Sequence, residues 1–426
     1  MSRMDTHTVN QEQKQASVGP AQVTHAGNGG RLEGKRVAMV MFSTYPFDPR
    51  PRRAADALMK EGASVELICL KEESSPMRER LNGIDVRRVA VKHRRGGKLD
   101  YAYQYSAFIL IASAIVAWRS LRRRYALVYV HNMPDVLVVS ALLPRLMGAK
   151  AILDQHDPMP ELMKTIYGMD EGSFSVRLIG WLERLSIGFV DRVVTVNVAC
   201  KRIFSLRSCR PEKISIVMNA PDERIFQYKA RAARAAGNGT EKPFTILYHG
   251  SIVERNGLDL GIEALEAVRR DLPNVQLRIC GGKTAFLDQV METVRAKGLE
   301  SNVRYLGPKR LEELTQEIEA CDVGIIPNQR NAFTDINTPT RIFEYLALGT
   351  PVIAPSTLGI QDYFEPTSLF FFEPGNAAEL AQQIKYVASH PGETHAVVER
   401  GQQIYLANTW TQQRKILIDM VSELLS

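Results

Sequence analysis

Short apolar runs alternate with longer amphipathic stretches from Lys35 onward, the βαβ rhythm of a parallel sheet with helices on both faces. Residues 36–42, 64–70, 126–131, 149–154, 192–196 and 214–218 read as strands. The rhythm breaks over 227–242, where Ala, Arg, Gly and Asn dominate, and resumes at 244–250, 275–280, 322–327 and 351–354. The pattern predicts an α/β chain of two tandem doubly wound, Rossmann-like domains, at 35–226 and 244–405, joined by a linker at 227–243. Ligands of such sheets bind beyond the carboxyl ends of the strands, so an interdomain cleft is the expected site. Residues 406–426 predict a last helix, with apolar positions at Ile416, Ile418, Met420, Val421, Leu424 and Leu425. Residues 1–34 are polar, without the apolar run of a signal peptide, and are expected to be a disordered tail.

Length and composition fit this plan. A chain of 426 residues, 45% hydrophobic, can fill two cores. The five cysteines are scattered without metal-ligand spacing. Cys69 and Cys280 fall in strand-like runs, so reduced core thiols and a cytoplasmic location are expected. A net charge of +7 is modest for this length, and no nucleic-acid partner is expected. Basic residues do cluster at 92–98 and 119–124, on either side of the apolar run 107–118. That run is shorter than the ~20 residues a spanning helix needs, so a core or interfacial helix is expected. Its apolar side can pack on a sheet with the basic ends solvated. Alternatively, 107–124 can make peripheral contact with anionic lipid on the inner face of a membrane.

The densest candidate chemistry lies between Asn337 and Ala354. Thr338 suits an N-cap, Pro339 the first helical position and Gly349 a left-handed C-terminal position, while Pro351 prevents continuation. The stop signals predict a helix of about ten residues. Its free N–H groups favour an anion, and Arg341 in the first turn adds a donor. Glu344, one turn further in, can accept from sugar hydroxyls. The same spacing also suits an i,i+3 surface pair. A second loop, His249-Gly-Ser-Ile-Val-Glu-Arg-Asn-Gly257, follows a strand; Gly250 allows close backbone approach, and Arg255 opens the next helix. His131 and His156 end successive strands, each as a structural hydrogen-bonder or a group at the site, with Asp157 and Glu161 beside His156. Asp48, Arg50 and Arg53 follow the first strand and can hold phosphates or form a helix-terminus charge network. Gly281 and Gly282 are a weak strand-end signal. The histidines lack i,i+4 spacing, and no Asp-x-Asp pair appears, so metal dependence is not expected.

From Lys35 to about Ser389 these motifs resemble the family-four retaining glycosyltransferases of GT-B fold. In that family the glutamate matching Glu344 binds the nucleotide ribose, and a glycine, arginine, lysine-glycine loop holds the donor diphosphate. The resemblance assigns donor contacts to Gly250, Ser251, Arg255, Thr338, Arg341, Glu344 and Gly359, and places His156 near the donor phosphates and sugar. It implies a metal-independent hexosyltransferase that uses a nucleoside-diphosphate sugar, has no cofactor, and serves bacterial exopolysaccharide, O-antigen or glycolipid assembly. A lipid-linked saccharide is the implied acceptor. Asn219-Ala-Pro-Asp222 resembles the family's hinge segment, and the last helix is expected to return to the N-terminal domain. The chain departs from the pattern at three positions: Ser251 replaces an arginine, Asn256 a lysine, and Ile336 the first of two glutamates eight positions apart, with Asp335 beside it. A sugar-nucleotide epimerase of the same fold and a nucleotide-sugar-binding module without turnover are the alternatives.

Overall fold

The computed structural model describes residues 30–91, 98–231 and 243–426. The expectations for 1–29, for the basic residues 92–97 and for linker residues 232–242 fall outside them. The described residues form two compact units, one running to Asn219 and adding Thr411–Ser426, the other Ala220–Trp410.

The N-terminal unit is built on eight strands in the order β3-β4-β2-β1-β5-β6-β7-β8. These are β1 Arg36–Thr44, β2 Ser64–Leu70, β3 Arg78–Leu81, β4 Ile84–Val89, β5 Leu127–His131, β6 Lys150–Gln155, β7 Arg192–Thr195 and β8 Ile214–Ile216. All pairings are parallel except β3 with β4. Its helices are α1 Pro49–Lys60, α2 Lys98–Arg122, α3 Leu142–Leu146, α4 Met159–Tyr167, α5 Phe174–Phe189 and α6 Val198–Arg207. The β3–β4 hairpin is an addition to the predicted strands. Its charged sequence hides the apolar alternation, although Asn82-Gly83, both at positive φ, is a strong hairpin turn.

The C-terminal unit has six strands, all parallel, in the order β11-β10-β9-β12-β13-β14. These are β9 Thr245–His249, β10 Gln276–Cys280, β11 Val303–Gly307, β12 Val323–Ile325, β13 Val352–Pro355 and β14 Phe370–Phe372. Helices α7 Leu258–Arg269, α8 Ala285–Ala296, α9 Leu311–Ala320, α10 Thr340–Ala347, α11 Leu358–Gln361, α12 Ala377–Ser389 and α13 Pro391–Ala407 connect and flank them. The sheet interior is aliphatic and fully buried at Leu277, Ile279, Val323 and Ile353, as parallel strands covered on both faces require.

Three expectations about extent are corrected. Residues 30–34 are placed rather than disordered: Leu32 is wholly buried and its N–H donates to the Glu61 carbonyl at 2.8 Å. Residues 227–231 belong to the C-terminal unit instead of a linker, with Lys229 N donating to Ala347 O at 2.8 Å and Arg231 Nη1 to Gly349 O at 3.2 Å. Helix α2 has 25 residues, because the tyrosine-rich polar segment before the apolar run is helical too. Its portion Ala102–Arg122 is long and apolar enough to cross a membrane by length and composition, which removes the length argument against a span. The last helix, α14 Trp410–Leu425, buries Leu417, Ile418 and Val421. Gln413 Oε1 accepts from Met218 N at 2.8 Å, and Arg414 reaches Glu61 at 2.7 Å.

Candidate functional site

In the C-terminal unit, the site residues gather at the carboxyl ends of β9 and β10. Gly250 leaves β9 at φ +116°, and a Cβ there would stand 3.2 Å from Arg341 Cδ. A glycine is therefore needed for the arginine to lie against the strand end. Arg341 is fixed by two hydrogen bonds, from Nη1 to His249 O at 2.8 Å and from Nη2 to Asn328 Oδ1 at 3.0 Å. Gly281 has a similar role: a Cβ would meet the Gly250 carbonyl at 2.3 Å.

Helix α10 begins at Thr340, with Pro339 as N-cap and no side-chain cap. Thr338 is thus not the cap, since its hydroxyl is drawn to the Gly359 carbonyl at 2.6 Å. Pro339 cannot supply a side-chain cap, and a helix start of this kind has anion-binding character through its dipole. Glu344 lies one turn in, its Oε2 3.6 Å from His249 Nε2, with Tyr345 anchored beneath by a 2.8 Å bond to Leu247 O. Burial, reinforced by the Arg341 charge, pulls the His249 pKa down to about 3. The imidazole is neutral near pH 7, and its contact with Glu344 is not an ion pair.

The Arg255 loop is braced from inside. Tyr248 Oη donates to Ser251 O at 2.8 Å, and Asn256 Nδ2 donates to the same oxygen at 2.7 Å. The residue in place of the family's lysine thus holds the loop's shape. Gly257, at φ +65°, admits no side chain, because a Cβ would stand 1.8 Å from Pro327 O. Burial raises the pKa of the Tyr248 hydroxyl, and the charges of Arg341 and Arg255 both act against that rise. The two guanidiniums therefore lie within electrostatic reach of one buried hydroxyl.

Two expectations around α10 change. The Gly359 N–H, expected to approach a sugar, donates to Asp335 O at 2.9 Å, and a Cβ at Gly359 would meet Ile336 backbone at 2.5 Å. This glycine has a packing reason. Ile336 is buried in the unit, while the Asp335 carboxylate pairs with Arg330 at 3.3 Å. Local sequence does not reveal the bracing role of Tyr248, the contact of His249 with Glu344 or the bond from Arg341 to Asn328; a polar residue just past a strand end is the available signal for Asn328.

In the N-terminal unit, His156 follows β6 and meets His131 at the end of β5, with Nε2 to Nδ1 at 3.0 Å. Asp154 Oδ2 stands 3.4 Å from His131 Nδ1 and 3.9 Å from His156 Nε2. Burial drives the His156 pKa well below its ordinary value, against the pull of Asp154, so this imidazole is neutral. Arg50 does not hold phosphates here: it is buried, bonds Asp154 Oδ1 at 2.6 Å from Nη2, and donates from Nη1 to Val217 O at 2.8 Å. Asp48 caps α1 by accepting from Arg50 N at 3.3 Å. Glu161 turns away from the strand end to accept from Arg207 at 2.7 and 3.0 Å.

Among the described residues, His131, Asp154 and His156 form a group whose ligand atoms are close enough for a metal ion. The donor set fits a cation poorly. Both Asp154 oxygens already accept, from Arg50 and from Tyr129 Oη at 3.0 Å, and a fixed guanidinium repels a second positive charge at the same carboxylate.

Residues 230–404 match the family described as glycosyl transferases group 1, and residues 48–220 match the glycosyl transferase 4-like domain. The chain is similar to the amylovoran biosynthesis glycosyltransferase AmsK of Erwinia amylovora, 27% identical over 176 residues, or 41% of each chain. It is also similar to a D-inositol 3-phosphate glycosyltransferase of Rhodococcus erythropolis, 25% identical over 72% of this chain and 70% of that one. Similarity to a phosphatidylinositol N-acetylglucosaminyltransferase component of Arabidopsis thaliana is 25% over 52% of this chain and 48% of the relative. The match thus spans less than half of two of these relatives. Among solved structures, sucrose-phosphate synthase of Thermosynechococcus elongatus superposes with a TM-score of 0.69 at 18% identity, covering 91% of this chain and 97% of that one. HepE of Anabaena in complex with UDP-glucose gives a TM-score of 0.67 at 16% identity, covering 91% and 99%.

Proposed function

The chain belongs to the family-four glycosyltransferases of GT-B fold, of bacterial polysaccharide type, and from that premise we propose that it is a retaining transferase using a nucleoside-diphosphate sugar. The observation that carries this reading is Arg341 tied to the end of β9, beside the uncapped start of α10, with Glu344 one turn further on. The diphosphate would be held by Arg341, Arg255 and the first-turn amides of α10, preorganised donors aimed at the charge that develops as the leaving group departs. Glu344 would accept from the ribose hydroxyls. The complex of HepE with UDP-glucose supports such a donor.

Retention is read as front-face attack, without a carboxylate nucleophile. The acceptor oxygen bonds to the anomeric carbon as the phosphate oxygen leaves from the same face, and that oxygen takes the acceptor proton. His156, neutral, would donate a hydrogen bond to the sugar or phosphate rather than act as a base. No metal is invoked, since the cations of the clamp are arginines. The acceptor is read as a lipid-linked saccharide in surface polysaccharide assembly, with the enzyme on the cytoplasmic side of the membrane. A relative whose name specifies phosphatidylinositol supports a lipid-borne acceptor.

The burial of Ile336 in place of a sugar-binding glutamate favours one competing reading, a module that binds the donor without turnover. Calorimetry against UDP-, GDP- and ADP-sugars, followed by transfer assays with lipid-linked saccharides, separates the two. Glu344→Ala and Arg255→Ala should each abolish transfer while the fold persists, and full activity in both would sink the assignment.

A further inference from the structure

The N-terminal unit carries helices that expose large apolar residues on their outer side in addition to those they bury. On α2 the buried positions are Gln104, Phe108, Ala112, Val116 and Ser120, while Leu110, Ile111, Trp118 and Leu121 are exposed. On α5 the buried positions are Val176, Glu183, Ser186 and Ile187, while Phe174, Leu178, Trp181 and Leu185 form a single exposed stripe at helical spacing. The inner side of α5 also carries a charge, the buried Glu183, which is bonded by Arg207 Nε at 2.8 Å. Val139, Leu142 and Leu146 continue the pattern along the 3-10 turn Asp135–Ala141 and α3. That turn packs against both α2 and α5. Right-handed crossovers from β4 to β5, β5 to β6 and β6 to β7 all place their helices on one face of the sheet. The exposed residues of α2, the turn, α3 and α5 therefore share one face of the sheet.

Its charge identifies the occupant. Arg122, Arg123 and Arg124 are exposed at the end of α2, with the Arg122 guanidinium 3.7 Å above the Trp118 ring, and exposed Arg177 and Arg184 flank the α5 stripe. The one acid of α5 is the buried Glu183, and the one acid of α2 is Asp100, at the far end. A second copy would oppose arginine to arginine, whereas an anionic bilayer complements both the apolar and the basic parts. The α2 stripe from Gln104 to Ser120 is engaged within the unit, which keeps the helix in the membrane plane. We propose that α2, α3 and α5 together form a monotopic face that rests on anionic phospholipid, with Trp118 and Trp181 at the headgroup boundary. This deepens the reading of a lipid-linked acceptor, and its test contains no sugar, so that the two can fail separately.

The test is co-sedimentation of the full chain with vesicles of phosphatidylcholine containing phosphatidylglycerol, and with phosphatidylcholine alone. Trp118 and Trp181 are two of only three tryptophans, so insertion should also shift emission to the blue. Binding is expected at least ten-fold tighter on the anionic vesicles. It should be lost in the double variant Trp118→Glu, Trp181→Glu at an unchanged melting temperature, and weakened when Arg122, Arg123 and Arg124 are changed to Glu. Three results would overturn the proposal: no vesicle binding, binding that the double variant retains, or a lipid-free dimer that this variant dissociates.

Discussion

Arg341 donates to the main-chain oxygen of His249 at 2.8 Å, so the cation nearest the start of α10 is positioned by the backbone of the strand it faces. Lysine cannot reproduce this, because the guanidinium spends one nitrogen on His249 and another on Asn328 and keeps its planar fork oriented. Arg341→Lys should lower kcat/KM for transfer by about a hundred-fold, in the range for removing one preorganised donor, with the melting temperature nearly unchanged. Steady-state kinetics with a nucleotide sugar checks this.

His249 is the second positioning group. Buried and neutral, it stands 3.6 Å from Glu344 and restricts the carboxylate that would read the ribose. His249→Phe should raise the donor KM several-fold with little change in kcat, and His249→Gln should restore much of the loss. Equal falls in kcat for both variants would mean that the imidazole contacts the reacting atoms instead.

Arg50 and Asp154 form the buried pair at the strand ends of the N-terminal unit. Burial alone would raise the Asp154 pKa, but the Arg50 charge and a hydrogen bond from His131 hold it far below the ordinary carboxylate range. A depressed carboxylate contributes stability above its unfolded pKa and loses that contribution as pH falls through the folded value. Arg50→Ala should therefore cost about 3–5 kcal/mol at pH 7, the range for leaving one buried charge unpaired. The penalty should shrink in strong acid, where Asp154 is protonated; urea unfolding across pH measures both.

Much of this was legible in the sequence. The strand ends at Gly250 and Gly281 and the places of Arg341 in the first turn of α10 and Glu344 one turn on follow from local spacing, because glycine at a strand end and charge at a helix start have local causes. The role of Arg50 did not follow, since a loop arginine can face solvent or reach Asp154 and only the tertiary fold selects its partner. The outward stripes of α2 and α5 were equally hidden. Helical periodicity marks an apolar side that meets the sheet, but it does not show that a second set, with Leu110, Trp118, Phe174 and Trp181, stays exposed while Gln104 and Glu183 are buried.

Asp135 supplies a pH test independent of catalysis. It is buried beside Glu183, and burial first, then that neighbouring charge, push its pKa up to about 7. The sign is opposite to that of Asp154. A carboxyl whose folded pKa is raised carries no penalty below the unfolded pKa of about 4, and it destabilises progressively as pH rises towards the folded value, where the unfolded chain has already released the proton. Asp135→Asn removes the ionisation and keeps an oxygen to accept from Asn132 Nδ2, now at 3.2 Å. The variant should melt about 2–4 °C higher than the parent at pH 8, the shift expected for roughly 1 kcal/mol in a domain of this size. At pH 5 the gain should be smaller. A melting-temperature difference that is the same at both values would show that Asp135 ionises normally in the folded chain.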